Sequence, residues 1–409
     1  MHTLKRNYQQ TIPSLLELFP AVVLLGARQV GKSTLVKSLL PKAKYFDLEK
    51  EQDYNRIEHA PELVFNEFPN EIIFDEVQRL PKLFQYLRVE IDKNREKNGR
   101  FLITGSSSPE LLKHINESLA GRCAIVQVNG LGWNEAAKKP MSTIYQMIAN
   151  KNIKQLHHLN ANQEYIDLLQ YCLIGAYPEV YVKKEHQLFI EQWRESYVQS
   201  YIERDIRSLF PNLNINTYRR VVKMSALATG EILNYSNFSR SLDISQPSIK
   251  HYFDILEGTF IWRTIPAYDK NLKKRMIKMP KGYIKDTGLV NHFMNIASSD
   301  DLISHPKFGH IWESFVIEQI IKGFKESLIK CDFYHYRTSN HSEIDLILEG
   351  NFGIVPIEIK SSTVTSKKQL RTMENFIKEN DLDYGLLINN AEEIYPLSEK
   401  IYQIPAKFL

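Results

Sequence analysis

Apolar residues along the chain fall into two patterns, short unbroken runs and longer stretches with helical spacing. Residues 21–25, 72–74 and 101–103 are unbroken runs of strand length, and residues 124–128 form a fourth interrupted only by Gln127, the mark of strands in a buried parallel sheet. A helical pattern over residues 34–40 follows the first run. Further along, residues 238–244 and 248–256 read as two short helices, with a tight turn at Ser245-Gln246-Pro247 between them. Residues 260–265 and 276–283 then read as a pair of strands. Near the C-terminus a helical pattern over residues 309–324 precedes two strands, 342–348 and 354–360, joined by a glycine-containing turn at 349–353. The resulting fold class is α/β and multidomain, with a parallel sheet first, a helix-turn-helix segment next and a second α/β unit last.

Length agrees with that division, since 409 residues exceed what one hydrophobic core usually organises and imply roughly two to four domains. A composition of 43% hydrophobic and 24% charged residues is that of a soluble globular protein. No apolar run is longer than a strand, and Met1-His2-Thr3-Leu4-Lys5-Arg6 leads into no apolar h-region. Neither a membrane span nor a secretory signal is therefore expected, and the expected location is cytoplasmic. Cys123, Cys172 and Cys331 stand far apart without C-x-x-C spacing, which indicates no disulfide framework and no zinc site. The net charge of +4 is unevenly spread: residues 211–290 hold thirteen Lys and Arg against six Asp and Glu, a balance of +7 that leaves −3 for the rest.

Chemistry enters at Gly26-Ala27-Arg28-Gln29-Val30-Gly31-Lys32-Ser33, between the first apolar run and the first helical pattern. Glycines at such a turn can take φ > 0, so that successive backbone N–H groups point at phosphate oxygens while the helix presents its positive end to the same anion. Lys32 would reach the β- and γ-phosphates of ATP, and the Ser33 hydroxyl would ligate Mg²⁺. The nucleotide contacts expected are Gly26, Ala27, Arg28, Gln29, Val30, Gly31, Lys32, Ser33 and Thr34. Asp75 and Glu76 close the second run, where a buried strand delivers carboxylates beside bound phosphates. Asp75 would hold the magnesium through water, and Glu76 would polarise the attacking water as general base. Thr104 or Ser106, at the end of the third run, could position that water or contact the γ-phosphate. The serines there, with Ser107 and Ser108, serve equally well as a turn and helix cap before Pro109-Glu110. Arg122 precedes the fourth run and is a candidate arginine finger, acting in cis or on a neighbouring subunit.

In series, these motifs resemble the AAA-type branch of P-loop ATPases. More narrowly they resemble a prokaryotic ATPase family with a G-x-R-x-V-G-K-[ST] loop, a hydrophobic-DE-hydrophobic-Q strand, a T-G-S-S strand end and an L-A-G-R turn. Here they read Gly26 to Ser33, Ile73 to Gln78, Thr104 to Ser107 and Leu119 to Arg122. The resemblance implies a nucleotide-dependent switch or motor domain. Gly175-Ala176-Tyr177-Pro178-Glu179 and Tyr201-Ile202-Glu203-Arg204-Asp205-Ile206 also resemble stretches downstream of that ATPase core, and their own chemistry does not say what they do.

The basic middle segment contains the helix-turn-helix pattern. In it Gln246, Ser248 and Lys250 would face a nucleic-acid groove while Ile249, Phe253 and Leu256 pack inward. The two strands that follow, with Lys273-Lys274-Arg275 between them, read as a wing with a basic tip, a shape that contacts phosphate backbones without reading sequence. Winged helices also serve as lids and protein contacts in ATPases, so a protein partner stands beside DNA among the partners expected.

In the last unit, Glu358 and Lys360 are two apart and share one strand face, and an antiparallel pairing can bring Asp345 beside them. Two carboxylates there can hold Mg²⁺, and the lysine can orient or deprotonate water for attack on a phosphodiester. Glu313, upstream beside Trp312, could complete the metal shell. Glu313, Asp345, Glu358 and Lys360 resemble the PD-(D/E)xK nuclease superfamily, in which a helix Glu, a strand Asp and an E-x-K strand form the metal site on an α/β core. That resemblance implies a restriction-endonuclease-like domain with cleavage through Glu358 and Lys360. A Glu–Lys ion pair at a sheet edge would instead leave a binding module without chemistry. Lys367, Lys368, Gln369 and Arg371 on the next helix could contact DNA phosphates.

The chain thus reads as a P-loop ATPase domain over residues 1–210 (core about 1–136, helical extension about 137–210), a winged helix-turn-helix over 211–295 and a nuclease-like domain over 296–409. ATP and Mg²⁺ are the expected cofactors, DNA is the expected partner, and a homo-oligomer is compatible with Arg122 acting between subunits. Two functions follow. One is an ATP-hydrolysing protein whose nucleotide state controls DNA engagement, with metal-dependent cleavage as an added step. The other is a regulatory switch or scaffold whose C-terminal domain binds a partner without cutting.

Overall fold

A computed structural model describes residues 4–106, 109–158, 168–338 and 342–409. Ser107 and Ser108 lie outside the described residues, as do the side chains of Pro109, Glu110, Glu203, Arg204, Asp205, Lys367 and Lys368. The chain gathers into two compact units, one comprising residues 1–131, 177–179 and 254–261, the other 132–176, 180–253 and 262–409.

The first unit is built on five strands: β1 Ala21–Gly26, β2 Lys44–Asp47, β3 Ile72–Asp75, β4 Phe101–Ser106 and β5 Cys123–Gln127. They pair in parallel in the order β2-β3-β4-β1-β5. The unbroken apolar runs make β1, β3 and β4 buried at every position, as strands covered on both faces require. Phe46, Phe74 and Phe101 stack from three neighbouring strands with centroids 5.8 and 6.3 Å apart, and Phe65 meets the last two edge-on. Each buried ring of this kind contributes about 1.5–3 kcal/mol. Because all five strands run the same way, Gly26, Asp75 and Ser106 finish at one edge of the sheet, while Ala21, Ile72, Phe101 and Cys123 start at the other.

The middle of the chain carries the helices Ile215–Leu227, Tyr235–Leu242 and Gln246–Gly258. Strands β6 Glu231–Ile232, β7 Trp262–Ile265 and β8 Lys281–Ile284 form an antiparallel sheet in the order β6-β8-β7. The strand expected over residues 276–283 begins only at Lys281. The basic tip is a short helix, Leu272–Ile277, because the Asn271 side chain accepts from Lys273 N and Lys274 N at 3.0 and 3.4 Å and caps a run of helix-forming residues. Part of its charge is neutralised internally. Arg275 donates to both Glu349 oxygens at 2.6 and 3.1 Å, and Lys278 pairs with Asp269 at 2.8 Å.

Six further strands complete the second unit: β9 Cys331–Arg337, β10 Glu343–Gly350, β11 Gly353–Ile359, β12 Gly385–Asn389, β13 Tyr395–Pro396 and β14 Ile401–Pro405. The sheet is mixed, ordered β13-β14-β12-β11-β10-β9; β9, β10 and β11 pair antiparallel, and β11, β12 and β14 parallel. The helix Phe308–Glu326 is buried on nearly every side, and its buried acids Glu313 and Glu318 are paired with Lys281 and Arg263, as buried charges must be. Met373, Phe376 and Ile377 of the helix Lys367–Glu379 pack with Ile347, Leu387 and Ile401. Residues 266–268 tie the smaller sheet to this one, since His335 N donates to Pro266 O at 3.0 Å and Tyr268 N to His335 O at 2.6 Å. Among the described residues no helix is long and apolar enough to cross a membrane.

Candidate nucleotide site and carboxylate cluster

β1 ends at Gly26, and the helix Lys32–Leu39 starts after the loop. A Cβ on Gly26 would come 2.2 Å from Val128 O, so only glycine fits there. Gly31 is the helix N-cap with φ +91°, and no side-chain hydrogen bond is made at the cap, which leaves first-turn N–H groups available to an outside acceptor. Ala27 and Val30 are buried, Ser33 is half-buried, and Gln29 and Thr34 are exposed. Arg28 lies 3.9 Å from Glu49. The buried Lys32 ammonium donates to Gly26 O and Ala27 O at 3.0 and 2.9 Å, curled onto the loop it belongs to. Burial pushes its pKa down, with Glu76 and Asp75 pulling the other way.

Asp75 is buried at the end of β3. The Thr104 hydroxyl donates to its Oδ1 and the Tyr45 hydroxyl to its Oδ2. Glu76 follows with φ +59° and ψ +49°, a left-handed conformation that costs a non-glycine residue about 1–3 kcal/mol and is retained where function demands it. Gln78 Nε2 and the Ser106 hydroxyl donate to Glu76 Oε2, the latter at 3.3 Å, and Glu76 N donates to Thr104 Oγ1 at 3.3 Å. Two acids and the hydroxyls expected beside them thus meet at one edge of the sheet.

Two neighbours of the loop were missed by sequence reasoning. Arg6 is buried and donates from Nη1 to Val30 O at 2.9 Å and from Nη2 to Asn129 O at 2.7 Å. Its guanidinium also lies 5.5 Å from the Tyr8 ring centroid, and Tyr8 OH donates to Gln127 O at 2.9 Å. Arg6 thereby ties the phosphate loop to the chain leaving β5. Pro178, from the Gly175–Glu179 stretch, is the other: a Cβ on Gly31 would sit 3.8 Å from Pro178 Cγ. The recurring motif was the only signal for Pro178, and a lone arginine offers none.

Arg122 is corrected in one respect. Its backbone oxygen accepts from Ala21 N at 3.3 Å, and its side chain donates twice to Asp92 at 2.8 Å. It therefore sits where β1 begins, roughly 17 Å along the strand from the phosphate loop at about 3.3 Å per residue. A cis arginine finger is ruled out by that register.

The C-terminal acids also depart from expectation. Asp345 lies on β10 and Glu358 on β11, with Lys360 just beyond. Lys360 Nζ is 2.6 Å from Glu358 Oε1 and 3.5 Å from Asp345 Oδ2, and Ile359 N donates to Asp345 Oδ2 at 2.7 Å. Glu313, on the helix Phe308–Glu326, pairs with Lys281 of β8 at 2.5 Å. Burial pushes the Glu313 and Glu358 carboxyls up to about 8, against the pull of Lys281 and Lys360. Among the described residues no group of three acids, histidines or cysteines is arranged to hold a metal ion. The acids expected as a shell lie against ammonium groups, Glu313 against Lys281 and Asp345 and Glu358 against Lys360.

Comparison with known proteins agrees with the first unit's architecture. Residues 18–137 match a family model described as an AAA domain, while residues 165–300 and 308–409 match two models each described as a domain of unknown function. Uncharacterized proteins of Mycobacterium tuberculosis and Mycobacterium bovis are each 29% identical over 404 residues, covering 98% of this chain and 83% of theirs. An uncharacterized protein of Methanocaldococcus jannaschii is 21% identical over 325 residues, 76% of this chain and 66% of its own. Among solved structures, a Walker-type ATPase of Pyrococcus abyssi is 16% identical, covering 71% of this chain and 96% of that one with a TM-score of 0.44. With its phosphate loop closing β1 of a five-stranded parallel sheet, the segment over residues 18–137 is similar to an AAA domain and has a P-loop arrangement.

Proposed function

We propose that this protein is a Mg²⁺-dependent ATPase whose nucleotide state governs how its remaining segments engage DNA. One observation carries the reading: Lys32, Asp75, Glu76 and Thr104 come together at the carboxyl edge of a parallel sheet, next to a helix N-terminus opened by Gly31. The donor set fits a nucleoside triphosphate with its metal. Residues 26–34 would cradle the phosphates through backbone N–H groups and Lys32, and Ser33 and Asp75 would hold Mg²⁺, which when bound neutralises charge on the phosphate oxygens. Glu76 then polarises the attacking water, with its carboxylate held by Gln78 and Ser106. Thr104 fixes the Asp75 carboxylate, and Arg122 serves a neighbouring subunit.

A winged-helix reading of the middle segment is supported by Gln246, Ser248 and Lys250, all exposed at the start of their helix while Ile249 and Phe253 are buried. The ammonium groups against Glu313, Asp345 and Glu358 favour a C-terminal domain that binds without cutting. Lys32→Ala should abolish nucleotide binding, and Glu76→Gln should bind ATP without turning it over. Unchanged hydrolysis in both variants would remove the ATPase reading. DNA affinity measured against salt concentration tests the rest, since phosphate contacts must weaken as salt rises.

A further inference from the structure

The carboxylate cluster of the C-terminal domain already holds a cation, and that cation comes from elsewhere in the chain. Lys281 stands on β8 of the smaller sheet, where its backbone is paired on both sides, with Ile232 and with Ile265. It is 4% exposed, and its ammonium lies 2.5 Å from Glu313 Oε1 and 2.9 Å from Glu343 Oε1. Lys360 covers the opposite part of the cluster, touching Glu358 and Asp345. Between them the two lysines contact every carboxylate that a divalent ion would need. Glu313 Oε1 and Glu358 Oε2 are buried without a hydrogen bond, so Lys281 is held to Glu343 by a hydrogen bond and to Glu313 by charge.

We propose that Lys281 is the resident cation of this cluster, an ammonium standing in for a divalent metal ion, so that the domain is metal-free and fastened through its acids to the smaller sheet. The ladder on both sides fixes the backbone from which Lys281 reaches the cluster, and burial together with its contacts to Glu313 and Glu343 keeps the ammonium there. A divalent ion entering beside a protonated Lys281 would bring like charges together in a buried, weakly screened site. Deleting the ammonium while keeping the acids should therefore create the metal site that the native chain lacks.

The test uses the full chain without nucleotide and with Mn²⁺ as the probe, in a Ser33→Ala background that keeps the phosphate loop from contributing. Equilibrium dialysis should find no ion in the parent that is lost with Asp345→Asn, and millimolar Mn²⁺ should not move its melting midpoint. Lys281→Ala should melt at lower temperature, gain one bound ion and regain melting temperature with Mn²⁺, and Asp345→Asn added to it should erase that gain. The proposal is overturned if the parent binds Mn²⁺ through Asp345, or if a folded Lys281→Ala gains none. Should Lys281→Ala fail to fold, Lys281→Met keeps the aliphatic length and is read by the same criteria, while the dialysis of the parent stands by itself.

Discussion

The Thr104 hydroxyl donates across the β3–β4 pair to Asp75, and the same oxygen accepts the Glu76 N–H at 3.3 Å. One side chain thus fixes both the carboxylate proposed to hold magnesium and the backbone of the proposed base. Thr104→Val keeps the shape and removes the hydroxyl in a fully buried place. Turnover should fall by about 10–100-fold, the usual cost of losing a group that orients a metal ligand, with ATP affinity far less changed. Thr104→Ser should restore it. Steady-state kinetics decides, and a variant that loses affinity while keeping kcat would show Thr104 to be a binding contact.

Arg6 spans Val30 O and Asn129 O and reaches Gly130 O at 3.5 Å, so Arg6→Ala leaves three carbonyls without this charged donor. Each lost hydrogen bond to a charged group costs about 1.5–3 kcal/mol. A lower melting temperature and weaker nucleotide binding should appear together, because the loop is then less well held in its binding shape. Arg6→Lys, a single point charge without the planar fork, should recover one effect only in part. Unaltered nucleotide affinity in Arg6→Ala, measured by titration, would mean that the loop holds its shape unaided.

The position of Arg122 at the starting edge of the sheet makes a mixing experiment informative. Arg122→Ala should leave ATP affinity unchanged. If it serves a neighbour, its turnover should recover when mixed with Lys32→Ala chains, each supplying what the other lacks. An ATPase rate per chain that is independent of protein concentration, and a loss that mixing does not repair, would end the intersubunit role.

What the sequence could reveal depended on whether an element's causes were local. β1, β3 and β4 were legible because burial on both faces forces unbroken apolar runs, and Gly26 and Gly31 because a close approach and a positive φ admit few other residues. The helix at the basic tip escaped because one cap, Asn271, overrides an extended reading that depended on neighbours. Lys281 escaped for a different reason. Its partners Glu313 and Glu343 are chosen by the register of β8 and by how a helix and a strand far along the chain pack, and no spacing encodes that.

Glu318 offers a pH test of the same unit. It is buried on the helix Phe308–Glu326, accepts from Arg263 at 2.7 and 2.9 Å and from Tyr283 OH at 3.1 Å, and lies 3.6 Å from Lys285. Burial alone would raise its carboxyl, but Arg263 and Lys285 outweigh burial and hold it at about 2, against an ordinary 4.5. Between those values the unfolded chain binds the proton and the folded chain does not. The stabilisation is therefore complete above pH 4.5 and is lost as pH falls toward 2, amounting to about 3 kcal/mol. Glu318→Gln should melt lower than the parent at neutral pH, since removing one partner of a buried pair costs about 3–5 kcal/mol, and its melting temperature should fall less steeply through the acid range. Glu313 and Glu358 act with the opposite sign: their raised carboxyls favour the folded chain at low pH and lose that advantage as pH rises toward about 8. Calorimetric midpoints of parent and Glu318→Gln that stay parallel from pH 5 to pH 2 would show that Arg263 and Lys285 do not hold Glu318 ionised.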